Sequence, residues 1–183
     1  MKLYNIIVIV MLSSCTFDPW QITLYKNLET ENIGFYGISD MPNEIKYNKN
    51  YLNGAFIDIG TKGKDATVYS SKEPYTLYII ATGKLGEHTY FTLKNLQIIS
   101  SSGIDYSELI HDLPATIDFK TSDIIFDDYL KGGYFTDYVF FFYDEEIYIK
   151  FLIEVSTKEK TEEREMFFTL TKLKRKGLFQ SYW

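Results

Sequence analysis

From residue 20 onward the chain is written largely in alternation. Ile147, Ile149, Phe151, Ile153 and Val155 share one parity, and Tyr148, Lys150, Leu152 and Glu154 share the other. Successive side chains of a strand point to opposite faces, so this run predicts a strand with one buried side. Residues 134–143 (YFTDYVFFFY) are aromatic at both parities, which predicts a central strand covered on both faces. Asp144-Glu145-Glu146 is a polar break between these two runs and predicts a hairpin. The charged stretch 156–165 (STKEKTEERE) reads as a solvated turn, after which Met166, Phe168 and Leu170 resume an apolar face. These pieces predict a three-stranded antiparallel meander.

Upstream, residues 75–82 and 89–99 flank a glycine-bearing turn at 83–87 and predict a second hairpin. Residues 115–120 alternate Ala115, Ile117 and Phe119 against Thr116, Asp118 and Lys120. A strand at 124–130 ends at Lys131-Gly132-Gly133, a turn suited to positive φ. Shorter candidates lie at 22–26, 33–36, 55–59 and 66–70, and 105–113 could form one short helix, with Asp105 as cap and Glu108 completing a capping box. No repeat or linker divides the chain. The pattern predicts an all-β fold, an antiparallel Ig-like β-sandwich with at most one short helix, as a single domain over 21–183.

The first residues follow a different rule. Lys2 precedes an unbroken apolar stretch, residues 6–12 (IIVIVML), and Leu12-Ser13-Ser14-Cys15 closes it with small residues. Charge, apolar core and small-residue cleavage region in that order read as an export signal. The stretch is far short of the roughly 20 residues that cross a bilayer as a helix. Leu12-Ser13-Ser14-Cys15 resembles the lipobox of bacterial lipoproteins. That resemblance implies removal of a signal peptide, residues 1–14, and acylation of Cys15. It also implies a short lipidated tether over 15–20 and attachment to a membrane of the bacterial cell envelope. Thr16, not aspartate, follows the cysteine, which by resemblance to enteric lipoproteins permits sorting to an outer membrane, facing the periplasm, where the organism has one. The alternative is an ordinary secretory signal beside an incidental cysteine. Cys15 is the only cysteine in the chain, and a lone thiol is out of place in an oxidising compartment unless acylation consumes it. Phe17 and Trp20 could touch the membrane interface or pack beneath the first strand.

Charge narrows the class of partner. The whole chain carries 19 Lys+Arg and 25 Asp+Glu, a net −6; without Lys2 the mature part has 18 against 25, a net −7. Nucleic-acid binding needs a basic face to neutralise phosphates, so it is not expected. Sixteen tyrosines and 14 phenylalanines suit a pleated, half-buried surface, and sheet packing is preferred to a sugar-stacking platform.

The inventory for catalysis is thin. His88 and His111 are 23 residues apart in no ligand spacing and read as surface or turn residues, so neither a metal nor a cofactor is expected. Ser100, His111 and Asp112 can be written as a triad, but the Gly-x-Ser-x-Gly elbow is absent. Asp127 and Asp128 would point to opposite faces of a strand, and Asp144-Glu145-Glu146 reads as a solvated tip. Lys172, Lys174, Arg175 and Lys176 form a basic cluster, read as a solvated face that blunts an exposed edge in preference to a lipid-headgroup contact. No catalytic residue is assigned. The expected role is a non-enzymatic binding or structural module, anchored at Cys15 and directed at another envelope or incoming protein, as in immunity-type toxin neutralisation. A carboxylate-based envelope hydrolase and an accessory of a secretion, adhesion or transport assembly are the alternatives.

Overall fold

A computed structural model of the chain describes residues 20–30, 44–64, 70–71, 73–119 and 129–177. Among them, ten strands run in chain order: β1 (Trp20–Lys26), β2 (Tyr51–Leu52), β3 (Ala55–Gly63), β4 (Ser70–Ser71), β5 (Tyr75–Lys84), β6 (His88–Ser100), β7 (Ala115–Asp118), β8 (Tyr129–Phe135), β9 (Glu146–Thr157) and β10 (Thr161–Gly177). The best-alternating run makes a strand with one buried face: Ile147, Ile149, Phe151, Ile153 and Val155 of β9 all face the core. It pairs antiparallel with β10, whose Met166, Phe168 and Leu170 lie on the same side. Phe151 and Phe168 stack there, with ring centroids 5.7 Å apart. Burying one such ring contributes about 1.5–3 kcal/mol.

All-β, antiparallel architecture is what forms, apart from a short parallel pairing of β4 with β1. The strands join one sheet in the order β7-β6-β9-β10-β1-β3-β5-β8, with β2 beside β3, so the separate sheets of an Ig-like sandwich are not what the pairing describes. The sheet curls until its two ends meet. Gly132 of β8 lies so close to β7 that a Cβ there would come 3.1 Å from the Asp118 carbonyl oxygen and 2.9 Å from the Phe91 ring of β6. The result is a nearly closed barrel filled with apolar side chains, as small barrels are. Its exterior over β6, β9 and β10 carries ion pairs of Lys94 with Glu154 and Glu163, and of Lys150 with Glu165. That polarity is the inverse of a barrel that spans a membrane.

Several expectations fail for identifiable reasons. Residues 134–143 do not form a hairpin with β9. Only Tyr134 and Phe135 are strand, and β8 pairs with β5. The remainder runs along the barrel rim, tied by a bridge between Tyr75 and Phe140, with Phe140 and Phe142 buried and Phe141 and Tyr143 exposed. Nor do β5 and β6 form a hairpin: β5 lies between β3 and β8, and β6 between β9 and β7. Alternation sets faces, and it is silent about neighbours. Lys131-Gly132-Gly133 is not a turn but the middle of β8, where glycine is required by close approach. The turn expected at 156–165 shrinks to residues 158–160, because cross-strand ion pairs let Glu163 and Glu165 stay in β10. The helix expected at 105–113 is a single 3-10 turn, Ser107–Leu109. Asp105 accepts from the Ser107 amide at 2.8 Å in a local turn, and no capping box forms. The candidate at 33–36 and most of those at 66–70 and 124–130 lie outside the described residues, as does the segment 1–19.

Candidate functional site

Strand parity and register assemble a second, outward-facing surface. Ile99 of β6 stands opposite Tyr148 of β9, and Tyr148 opposite Thr169 of β10. One step along, Gln97, Lys150 and Phe167 form the next row. Side chains at those positions all leave the core side, so the barrel wall carries aromatic and aliphatic groups where solvent is expected. Phe167 is 61% exposed and Tyr148 45%. With Asn27 to Glu29 after β1 and Lys49 closing one side, they line an open groove of about 450 Å³.

The groove's polar groups are oriented by their neighbours. The Lys150 ammonium lies 2.8 Å from a Glu165 oxygen and 5.4 Å from the centre of the Phe167 ring. Tyr148 donates its hydroxyl to Glu146 at 2.9 Å, and that carboxylate holds the phenolic proton more firmly. Lys49 pairs with Glu29 at the rim. The Asn27 side chain accepts the Glu29 amide proton through its oxygen, while its buried amide nitrogen has no hydrogen-bond partner. Unpaired buried donors cost about 1–3 kcal/mol. The chemistry on offer is recognition by apolar contact, ring stacking and charge-assisted hydrogen bonds.

A larger cleft, about 830 Å³, opens among the turns at one end of the barrel, between Asn53-Gly54, Gly86-Glu87 and residues 157–160. Its side chains are committed to holding those turns. Arg164 donates to the Lys49 and Tyr51 carbonyls, and Asn53 donates to Val155 O at 2.9 Å and Lys160 O at 3.2 Å.

Two members of the candidate triad are engaged by other partners. Ser100 is buried with its hydroxyl 3.1 Å from Ser102 Oγ and accepting the Ile104 amide proton at 3.1 Å. Asp112 accepts from the Tyr134 hydroxyl at 2.8 Å, and His111 is exposed. His88 is not a surface residue. It is 6% exposed, with Nδ1 accepting the Lys84 amide proton at 2.9 Å and Nε2 3.0 Å from Asn53 O. With Nδ1 accepting, Nε2 is the ring nitrogen placed to donate to Asn53 O. A Cβ on Gly83 would meet the ring at 2.4 Å, so Gly83 is the space His88 fills. Among the described residues no three His, Cys, Asp or Glu side chains gather where a metal ion could be held.

Among the described carboxylates, Glu154 and Glu163 stand opposite each other and share Lys94, while those of the 144–146 tip have separate partners. Asp144 accepts from Ser102 Oγ at 2.8 Å, and hydrogen bonds from Ser100 and Ser102 hold its carboxyl below the usual range. Glu145 faces Lys174 at 3.7 Å. Asp58 of β3 is different: burial pushes its carboxyl above the usual range despite a 2.9 Å hydrogen bond from Thr30 Oγ1 and the pull of Lys26 and Lys131. Perturbed carboxyls of this kind mark functional sites in some proteins. The described groups acting on Asp58 include no second carboxylate, and Asp127, Asp128 and Cys15 lie outside the described residues.

The sequence contained the signal for the groove, but it is weak. Placing Met166, Phe168 and Leu170 inward necessarily turns Phe167 outward, yet only the sheet order brings it beside Tyr148 and Ile99. No protein-family model, curated protein or solved structure matches this chain.

Proposed function

We propose that this protein is an envelope lipoprotein, anchored through an acylated Cys15, that acts without catalysis by binding another protein on the outer face of β6, β9 and β10. The observation that carries the reading is the exposed cluster of Ile99, Tyr148 and Phe167, from two adjacent rows of a barrel wall that also carries ion pairs. Exposed aromatic and aliphatic groups ringed by polar side chains are the composition of a binding patch, with tyrosine and aromatic anchors at its centre. Neutralisation of an incoming toxin is the sharper form of this reading; membership of an envelope assembly is the broader one.

The test is affinity capture of the full lipoprotein from its own membranes, with wild type beside Phe167→Asp and Tyr148→Ala. Both residues face outward, so thermal stability should be little changed in either variant. A partner retained by wild type and lost by both variants supports the reading. A partner retained equally by all three sinks it.

A further inference from the structure

We propose that the end of the barrel from which the β1–β10 ribbon projects lies against an anionic lipid surface, with Lys172, Lys174, Arg175 and Lys176 on the ribbon and Phe141 and Tyr143 on the rim. The two ends of the barrel differ. One is closed by the turns at 53–54, 85–87 and 158–160, which are tied together by the Asn53 side chain and by the Lys158 amide donating to Glu87 O at 3.0 Å. At the other, β9 begins opposite Thr171 of β10, while β1 and β10 continue side by side to the pair Trp20–Gly177. From the Tyr25–Lys172 pair to that tip, five residues at about 3.3 Å each extend the ribbon by roughly 16 Å. The chain therefore enters the barrel from this end, and Cys15 stands five residues before Trp20.

Charge along β10 is polarised in the same direction. Glu162, Glu163 and Glu165 lie toward the closed end, and Lys172, Lys174, Arg175 and Lys176 toward the ribbon. The basic cluster is not a plain edge: β10 lies between β9 and β1 as far as Thr171, the Lys172 amide still donates to Glu145 O at 2.8 Å, and beyond Lys172 the pairing with β9 has ended. Glu145, 3.7 Å from Lys174, opposes the cluster, and Asp144 is engaged by Ser102. On a chain of net charge −6, four cations within five residues form a local excess suited to anionic headgroups.

Aromatic side chains sit beside it. Tyr143 is 69% exposed and Phe141 48%, on a rim held by backbone bonds: Tyr25 donates to Phe142 O and Asp144 O, and Lys172 Nζ lies 3.2 Å from Tyr143 O. Amphipathic aromatics favour the membrane–water interface, and lysines beside them extend to headgroups. The proposal rests on the lipid-anchored reading in one respect, that Cys15 holds this end to a membrane.

The test uses the full chain purified from membranes, its N-terminal peptide weighed first, then reconstituted in vesicles of phosphatidylcholine with or without phosphatidylglycerol. An environment-sensitive fluorophore is placed at Tyr143→Cys or, at the closed end, at Glu159→Cys. The 143 label should shift to the blue and be quenched from within the lipid, and the 159 label should remain in water. The shift should be larger with phosphatidylglycerol and shrink in high salt. It should also be lost in Lys174→Glu/Lys176→Glu, whose folding is checked by circular dichroism. A 143 label in water on a chain whose Cys15 is acylated overturns the proposal, as does immersion of the 159 label. Shielding of residue 143 that appears only with a co-purifying protein also overturns it. An unmodified Cys15 with an immersed 143 label removes the anchor and leaves the docking surface standing.

Discussion

Tyr25 donates its buried hydroxyl to the carbonyl oxygen of Asp144 at 2.6 Å, bonding the first strand to a segment 119 residues later. The same hydroxyl lies 3.0 Å from Phe142 O, and the ring meets Phe142 edge-on at 5.3 Å. One tyrosine therefore fixes the irregular run 136–145 across the barrel mouth. Tyr25→Phe keeps the ring and deprives two carbonyls of their donor, a loss of about 1–3 kcal/mol. Hydrogen exchange should quicken at 141–145 while β9 stays protected. Uniform loss of protection would show that the hydroxyl does not act locally.

The two histidines should behave differently. His88→Ala removes the link between Asn53 O and the Lys84 amide and empties the space beside Gly83, so its thermal midpoint should fall by several degrees. His111→Ala, at an exposed position, should match wild type within about 0.5 kcal/mol. Denaturant curves for the two variants check this, and equal midpoints would contradict the burial of His88.

Adjacent glycines of β8 give a sharper contrast. A Cβ at Gly132 meets backbone across the closing seam, at 3.1 Å from Asp118 O, as well as the buried Phe91 ring. At Gly133 the closest atom belongs to the exposed Phe135 ring, at 3.0 Å, which can swing aside. Gly132→Ala should cost about 1–3 kcal/mol by overpacking, and Gly133→Ala much less. Similar costs at both sites would argue against the contact of β7 with β8.

These positions show what the sequence can and cannot encode about this barrel. Side-chain parity in β9 is dictated locally, so Ile147 to Val155 are assigned to the core correctly from sequence alone. Sheet order depends on contacts between distant segments: nothing near Tyr75 says that its strand will lie beside residues 129–135. Residues 134–143 mislead because aromatics at both parities satisfy a two-sided strand as well as a rim whose buried rings stack on one another. Gly132 misleads because a glycine required by close approach is spelled like one required by a turn. His88 is missed because a buried imidazole needs two backbone partners that only the fold supplies. The Tyr148–Phe167 surface lies between these cases, its faces legible and its assembly not.

Buried phenols make stability sensitive to alkali. Burial, the largest cause in each, pushes the Tyr51 and Tyr75 hydroxyls up to about 12 and those of Tyr25, Tyr78 and Tyr134 further. Unfolded tyrosines give up their protons near pH 10, so above that pH the unfolded chain binds fewer protons than the folded one. Stability should hold up to about pH 10 and fall as pH rises through 12. Tyrosinate absorbance should then rise in two stages, exposed residues first and the buried set together with loss of circular dichroism. A single stage near pH 10 with the fold intact would contradict this.

The most direct measurement is the mass of the N-terminal peptide of the protein extracted from the membranes of its own cells. The lipid-anchored reading predicts a mature chain that begins at Cys15 and carries diacylglycerol on sulfur, with or without a third acyl chain on the amino group, and Cys15→Ser should accumulate as unprocessed precursor. A mature chain that begins at any other residue, or a free Cys15 thiol, would contradict it.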